Sequence, residues 1–320
     1  MDFRQLTALV AVADCGSVTK AARLLRLAQP AVSRQIQLLE EELGVRLFDR
    51  TRGGMAATPA GELLLERARR VLTELERARA EVRVDHRRIA GIVTVGVLES
   101  LADMVVPGLV DTVARSFPDI ELRVLTAYSG HLRRWLDDGD IDLSFLYNLI
   151  APGAWAVVPL VEERLWAVGP PSVGLDPVRP VAWQEVLTHP LVLPAAGHGL
   201  RILIDQALAK LQVQTDVSVQ TNSMYLQKRL VLDGHGWTIP PAAGAAADVA
   251  AGRLSGSPLI EPGVHRAVAL AVRRGARVSA AVDAVAVAAT GIVRRQARSG
   301  AWPTVTLLGE ATRGSAEAMP

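Results

Sequence analysis

A run of polar residues between 29 and 37 has the types and spacing that recognise DNA bases. Arg34 and Gln37 are three residues apart, so both side chains lie on one face of a helix. Arginine pairs bidentately with guanine and glutamine with adenine in the major groove. The predicted DNA-binding surface also includes neighbouring positions and two arginines of a later basic turn. The full set is Thr19, Gln29, Pro30, Ala31, Ser33, Arg34, Gln37, Arg50 and Arg52.

Short amphipathic helices must position this surface. Apolar spacing predicts a helix over residues 18–25, a turn over 26–28 and a helix over 30–43 that ends at Gly44. Apolar residues then bracket a basic, glycine-containing turn near residues 50–54, which is typical of a two-stranded wing. This is the helix-turn-helix plan, and an ordinary three-helix packing unit is the alternative.

Residues 59–89 are predicted to form one long helix with Thr58 as its N-cap. Its apolar residues recur at alternating spacings of four and three, as in a coiled coil. A second copy of the same helix is the expected partner, and packing on its own chain is the alternative. The predicted dimerisation residues are Leu64, Ala68, Val71, Leu75, Ala78 and Val82.

Beyond Gly91 the pattern changes to alternating strands and helices, which is typical of an α/β fold with a parallel sheet. The predicted strands include residues 92–97, 120–126 and 143–147, and an Ala/Val-rich helix over 279–297 closes the fold. Half of the 320 residues are hydrophobic and 21% are charged, so a large core is possible.

Several classes of protein are disfavoured. Cys15 is the only cysteine, which excludes an intrachain disulfide and a cysteine-based zinc cluster. The six histidines are scattered, and no G-x-S-x-G, P-loop or G-x-G-x-x-G motif occurs. No apolar run reaches the ~18 residues that span a membrane, and the N-terminus has no signal-peptide pattern. We expect no enzyme, cofactor, metal or membrane contact, and a cytoplasmic location.

Charge is unevenly distributed. Residues 1–90 hold 16 Lys or Arg and 12 Asp or Glu, although the whole chain carries a net charge of only +2. This excess favours an anionic partner for the N-terminal part, nucleic acid being the usual one, with a solvated basic face as the alternative.

Several motifs together resemble the LysR-type transcriptional regulators. They are Ala21-Ala22-x-Leu24-Leu25, Gln29-Pro30-Ala31-Val32-Ser33-Arg34-Gln35-Ile36, Leu39-Glu40-x-Glu42-Leu43-Gly44, Leu47-Phe48-x-Arg50 and Thr58-x-Ala60-Gly61. Later segments, such as Tyr128-Ser129-Gly130-His131-Leu132, resemble a subset that includes nitrogen-assimilation regulators. The chain departs from the pattern at Ala28, where serine is frequent, and at Glu99, where we expect a neutral residue.

The resemblance implies a winged helix-turn-helix head, a long linker helix and an effector module of two α/β subdomains similar to periplasmic solute-binding proteins. The corresponding ranges are 1–58 for the DNA-binding domain, 59–90 for the linker and 91–303 for the effector domain. Subdomain I covers about 91–161 and 267–303, subdomain II about 162–266, and a flexible tail 304–320. The implied partners are a small effector, double-stranded DNA with an interrupted palindrome, further copies of the chain in a homodimer or homotetramer, and RNA polymerase.

Ligands of open α/β sheets bind beyond the strand C-termini, at helix N-termini. The predicted effector-binding residues at such places are Ser100, Ser129, Gly130, Tyr147, Asn148, His198, Arg201 and Asn222. Helix N-termini and Arg201 favour a polar anion as effector, provided that Glu99 points outward. The serines could instead be ordinary N-caps, and Arg201 could form a surface ion pair.

The sequence therefore predicts a ligand-responsive DNA-binding regulator. Two alternatives remain: a solute-binding or enzymatic α/β module with an accessory DNA-binding head, and a constitutive architectural DNA-binding protein.

Overall fold

The computed structural model describes residues 1–51, 53–82, 89–149, 155–273 and 279–309, apart from the side chains of residues 77 and 80–82. The chain divides into two compact units, Met1–Asp85 and His86–Pro320. The first unit is called the head and the second the module. Helices dominate the head, whereas the module combines strands and helices.

Local capping sets the bounds of the three helices in the head core. These helices are α1 Phe3–Cys15, α2 Val18–Leu25 and α3 Gln29–Leu43. The Asp2 carboxylate accepts from the amide of Gln5 at 2.9 Å, and Gly16 ends α1 with a left-handed φ of 59°. Ser17 caps α2, whereas Ala28 gives α3 no side-chain cap. The second helix has its predicted bounds, and the third begins one residue earlier than predicted.

A two-stranded wing follows α3, as predicted. Its antiparallel strands are β1 Phe48–Thr51 and β2 Gly54–Ala57. The Glu40 carboxylate accepts from the amide of Leu47 at 2.7 Å and from that of Phe48 at 3.3 Å, which ties α3 to the wing. A Cβ at position 54 would lie 2.3 Å from the carbonyl oxygen of Gly16, so this contact requires glycine.

The long helix is α4 Pro59–Val82. The Thr58 hydroxyl accepts from the amide of Gly61 at 3.0 Å, so Thr58 is the predicted N-cap. A Cβ at position 61 would lie 2.1 Å from the carbonyl oxygen of Leu47, because α4 begins in close contact with the backbone before the wing. The predicted continuation of this helix over residues 83–88 lies outside the described residues.

The predicted dimerisation residues of α4, here called the seam, lie on two different faces of the helix. Ala68 is buried in the head core beside Leu65, and Leu64 packs against the same core. Ala68 is therefore corrected from a dimer contact to a core residue of its own head, because α1 packs against α4. The side chain of Val82 lies outside the described residues. The seam residues that do not pack against the head core are Val71, Leu75 and Ala78.

In the module, strands and helices first alternate as predicted: β3 Gly91–Leu98, α5 Ala102–Ser116, β4 Ile120–Ala127, α6 Ser129–Asp138 and β5 Leu143–Tyr147. Strand β6 Trp155–Arg164 comes next. Shorter elements follow: β7 Trp166–Gly169, β8 Val181–Ala182, α7 Trp183–Val186, β9 Leu191–Leu193, α8 Gly199–Leu211, β10 Val217–Gln220, α9 Met224–Leu232, α10 Ala242–Ala250 and β11 Ser255–Ile260. The last elements are β12 His265–Arg273, α11 Ala280–Arg298 and β13 Val305–Leu307. The elements β6, β8, α7, α10, β11 and β13 were not predicted.

A mixed sheet forms the first core of the module, together with helices α5, α6 and α11. Its strand order is β13-β6-β12-β5-β3-β4. Strand β3 is parallel to β4 and β5, whereas β12 is antiparallel to β5 and β6. Within this sheet the parallel arrangement is therefore limited to β3, β4 and β5, because the long strands β6 and β12 pair in the antiparallel direction.

The chain passes between this first core and a second core of the module along β6 and β12, here called the crossing strands. Leu160 of β6 belongs to the first core, and Leu165, just past its end, belongs to the second. On the return, Val264 lies in the second core and Val268 in the first. The second core is built on the sheet β7-β11-β8 and the parallel pair β9 and β10. The crossing strands thus join two α/β subdomains.

The C-terminal part is structured further along the chain than predicted. Strand β13 pairs with β6, although a flexible tail was predicted from residue 304. Trp302 is fully buried in the first core and anchors the chain just before β13. The rest of the predicted tail, residues 310–320, lies outside the described residues.

Candidate functional site

The outer face of α3 carries most of the predicted DNA-binding residues. Val32, Ile36 and Leu39 are buried in the head core, which turns the opposite face to the surface. Arg34 and Gln37 are exposed on that face, and Arg34 makes no ion pair with a residue that the structure describes. Such side chains can hydrogen-bond to base edges. Of the other predicted residues, Ser33 is half-buried and the exposed ones are Thr19, Gln29, Pro30 and Ala31.

The wing contributes one described arginine to the predicted DNA-binding residues. Arg50 is exposed on β1, two residues from the turn that joins the strands. Arg52, the second predicted arginine of the wing, lies outside the described residues. An exposed guanidinium on a β-hairpin can contact phosphates or enter a minor groove.

A narrow cleft lies between the two subdomains of the module, with a cavity volume of about 30 Å³. That volume holds about two waters, whereas small-molecule sites measure roughly 300–1,000 Å³. Binding of a metabolite therefore requires the cleft to widen. Four of the predicted effector-binding residues line it together: Ser100, Tyr147, His198 and Asn222.

The other four predicted residues do not line this cleft. Ser129 and Gly130 begin α6 just beyond Tyr128, which does line the cleft. Asn148 accepts from the amide of Ala267 at 3.0 Å, so its side chain closes the end of β5 against β12. Asn148 is therefore corrected to a structural contact, whereas Ser129 and Gly130 follow a lining residue directly and stay predictions.

Arg201 is also corrected. Its Nε donates to Asp205 at 2.7 Å, and its Nη1 donates to the carbonyl oxygen of Pro194 at 3.2 Å. The ion pair spans one turn of α8, which is the alternative that the sequence left open. Arg201 therefore adds no charge to the cleft lining.

A buried ion pair at the base of the cleft was missed by the sequence analysis. Arg266 of β12 is 3% exposed, and its Nε donates to Glu163 of β6 at 2.8 Å. Arg266 Nη2 also donates to the Ser100 hydroxyl at 2.8 Å. The second oxygen of Glu163 accepts from Trp302 Nε1 at 2.9 Å and from the amide of Ala243 at 3.1 Å. The pair therefore links both crossing strands to the cleft.

The signal that could have found this pair is a glutamate and an arginine in phase with the buried apolar residues of their strands. Glu163 follows Val161 by two residues, and Arg266 precedes Val268 by two, so each charge takes an inward position of its strand. Their pairing depends on the antiparallel register of β6 and β12, in which Arg266 lies opposite Glu163.

Glu99 occupies the cleft, contrary to the expectation that it points outward. It begins the short 3-10 turn Glu99–Leu101 after β3, and this turn directs the carboxylate across the cleft. One carboxylate oxygen lies 3.4 Å from the Ser223 hydroxyl and 3.4 Å from the amide of Tyr225, at the start of α9. The anion expectation therefore loses two supports, the outward Glu99 and the charge of Arg201.

Two ionisable groups of the cleft are neutral near pH 7. Burial and, secondarily, the positive charge of Arg266 lower the pKa of His198 to about 4. His198 Nδ1 accepts from the amide of Leu200 at 3.2 Å, which requires a deprotonated Nδ1. Burial also raises the pKa of Tyr147, although Arg266 and the amide of Leu200 act in the opposite direction. Both groups therefore offer hydrogen bonds without charge.

Within the described ranges, no three His, Cys, Asp or Glu side chains come together as a metal site. No described helix combines the length and apolar character needed to cross a bilayer.

Two family models match the chain, and both carry the LysR name. The LysR substrate binding domain matches residues 86–290, and the bacterial regulatory helix-turn-helix protein, lysR family, matches residues 3–62. The first range covers the module as far as α11, and the second covers the head as far as the start of α4.

Individual proteins agree with the family models. The transcriptional regulator BbuR of Bordetella bronchiseptica is 29% identical over 303 residues, covering 95% of this chain and 93% of BbuR. A probable nitrogen assimilation transcriptional activator of Synechococcus elongatus is 29% identical over 278 residues, covering 85% and 89%. The fold matches that of full-length CbnR in complex with its target DNA, with a TM-score of 0.72, 22% identity and coverage of 92% and 99%. The chain belongs to the LysR family of bacterial transcriptional regulators, which bind DNA and respond to effector ligands.

Proposed function

We propose that this regulator binds operator DNA through the outer face of α3 and the wing, and that a small metabolite in the module cleft controls this binding. The observation that carries the proposal is the cleft lining, in which polar groups from both subdomains converge: Ser100, Tyr147, His198 and Asn222. The same chain presents Arg34 on an exposed recognition face. CbnR, which shares the fold, has been seen in complex with its target DNA.

The cleft can transmit binding because its lining comes from two subdomains joined by the crossing strands. A ligand that contacts both sides favours one relative setting of the subdomains, and only a difference in affinity between settings shifts the equilibrium. We propose that the head responds to this shift, in the cytoplasm where the operator is.

We further propose that the cleft is not catalytic. The Ser100 hydroxyl accepts from Arg266 instead of donating to a base, and His198 Nδ1 is engaged with the amide of Leu200. A nucleophile needs an adjacent base within hydrogen-bond distance, which these contacts do not provide.

DNA binding is tested with the full chain and a labelled duplex from its upstream intergenic region, by fluorescence anisotropy at several salt concentrations. Arg34→Ala should weaken operator binding by ~1–3 kcal/mol and relax base preference, because Arg34 is assigned to a base edge. Arg50→Ala should weaken binding to all sequences and reduce the salt slope, because it is assigned to phosphate. Arg179→Ala, an exposed site of the module, is the control. Unchanged operator selectivity in Arg34→Ala would reject the assigned recognition surface.

The same assay tests effector control. A metabolite panel should include compounds that change the affinity of the wild-type chain for DNA. Ser100→Ala combined with Asn222→Ala should remove that response and preserve DNA binding, because both residues line the cleft and not the head. A response that survives both substitutions would place the effector elsewhere.

We propose that the chain forms a homodimer through the exposed part of the α4 seam, so that two heads bind an interrupted palindrome, with a tetramer as the larger assembly. Val71 is 44% exposed and apolar, which suits a helix that packs on a second copy. Val71→Glu with Leu75→Glu should give monomers in sedimentation velocity. Arg67→Glu, an exposed position off the seam, is the matched control. A double variant that stays dimeric would place the contact elsewhere.

A further inference from the structure

Glu99 is a carboxylate in the effector cleft that accepts two long hydrogen bonds. Its side chain is half-buried, and its contacts with the Ser223 hydroxyl and the Tyr225 amide are both 3.4 Å. These distances exceed the 2.7–3.2 Å that is typical of N–H···O hydrogen bonds. No described residue forms an ion pair with Glu99. The carboxylate therefore retains most of its capacity to accept hydrogen bonds.

The cationic group of the cleft does not compensate this charge. Arg266 is the arginine of the lining, and its Nε and Nη2 already bind Glu163, which is 1% exposed. Arg266 and Glu163 together carry no net charge. His198 is neutral near pH 7 because its pKa is lowered to about 4. The described lining thus has a net negative charge, which is located on Glu99.

An anionic ligand would bring a second negative charge into a cleft that must exclude water to close on it. Like charges at such a site repel more strongly than in bulk water. A protonated amine would instead pair with Glu99 and form charge-assisted hydrogen bonds.

We propose that Glu99 selects the effector by charge, and that the effector is a small metabolite with a protonated amino group. The inference rests on the proposed function of the cleft as the effector site. The Nη1 group of Arg266 has no acceptor among the described residues, so it can bind a carboxylate or another oxygen of the same molecule. The effector class is therefore an amine or a zwitterion, not a simple dicarboxylate.

The test uses three probes that share a four-carbon chain and differ in charge: putrescine, 4-aminobutyrate and succinate. The full chain is heated with each probe at up to ~50 mM and constant ionic strength, since a bound ligand raises the unfolding midpoint. All six tryptophans lie between residues 135 and 302, so their fluorescence reports on the module. The variants are Glu99→Gln and, as an exposed control on β4, Glu121→Gln.

At least one of the two amine-bearing probes should stabilise the wild-type chain, and succinate should not. Glu99→Gln should weaken the dissociation constant of that probe roughly tenfold or more, because the amide replaces the charge and keeps the shape. Glu121→Gln should bind the probe like the wild type.

Three results would overturn the inference: stabilisation by succinate but not by the amines, equal binding of an amine to Glu99→Gln, or no stabilisation by any probe. The proposed function is judged separately. Succinate binding that is lost on Ser100→Ala would reject the amine and support the cleft. If no probe stabilises the chain, the effect of metabolites on DNA binding by the wild type and the cleft variant tests whether the cleft is the effector site.

Discussion

The head and the module build their candidate sites in different ways. The recognition face lies within one stretch of nine residues on α3, and its polar side chains point to solvent. The cleft draws its residues from segments between Leu98 and Arg266, and its central charges are buried. A change on the recognition face should therefore alter binding alone. A change at the base of the cleft should alter both binding and folding.

Burial of charge separates the two regions further. Within the described head, Gln5 is the one buried polar side chain, whereas the module buries Glu163 and Arg266 at the crossing strands. A buried ion pair adds little to stability compared with apolar packing, but removal of one partner leaves a buried charge unpaired. Substitutions should therefore lower the stability of the module most where its subdomains join. In the head they should lower stability most where backbone segments are in close contact.

The largest effect is expected for Glu163→Gln. The substitution leaves Arg266 buried without its counter-ion, which should lower the free energy of unfolding by about 3–5 kcal/mol. Urea unfolding followed by tryptophan fluorescence measures this effect in the module alone. The control is Glu162→Gln at the neighbouring, exposed position, where the loss should be about 0–1 kcal/mol.

Equal and small losses for both glutamate variants would break the comparison between the two regions. They would mean that water reaches Arg266 and that the base of the cleft is as tolerant as the recognition face.

A smaller loss is expected in the head for Gly61→Ala. A Cβ at this position would lie 2.1 Å from the carbonyl oxygen of Leu47, so α4 or the segment before the wing must shift. Such overpacking costs about 1–3 kcal/mol. Far-UV circular dichroism is the measurement, because tryptophan fluorescence does not report on the head.

Gly130→Ala in α6 is the matched control, since a Cβ there has no atom within 4 Å. It should leave stability unchanged or raise it by up to ~1 kcal/mol. If Gly61→Ala behaved like Gly130→Ala, the close contact that fixes α4 to the head would be absent in solution.

The sequence predicts the head better than the cleft, because the signals of the head are local. Ser17, Gly44 and Thr58 mark helix ends within a few residues of the helices they cap or terminate. Arg266 and Glu163 are 103 residues apart and meet only through the register of β6 and β12. The correct strand ends still placed Ser100 and Tyr147 in the cleft.

The seam of α4 was mispredicted in part for a similar reason. A heptad pattern does not distinguish packing on a second copy from packing on the same head, and Ala68 belongs to the second case. Glu99 was misplaced because a 3-10 turn, not an α-helix, follows β3 and directs its side chain.

The smallest expected effect concerns pH and the neutral His198 of the cleft. Burial and, secondarily, Arg266 lower its pKa in the folded chain to about 4, whereas an unfolded histidine titrates near ~6.5. Between these values the unfolded state binds a proton that the folded state does not, so stability falls as pH falls through this window. Above pH ~6.5 His198 adds no pH dependence to the free energy of unfolding. Below about pH 4 the loss of stability that it causes is complete. The effect is reduced by partial solvent access to the ring, so the proton uptake on unfolding should stay below about one proton.

Urea midpoints by tryptophan fluorescence across this range should show a shallower pH dependence for His198→Asn, whose side-chain oxygen can still cap α8. His235→Asn, at an exposed loop position of the same subdomain, should keep the wild-type slope. Identical slopes for the two variants would show that His198 is solvated and that the cleft is as open as the recognition face of the head.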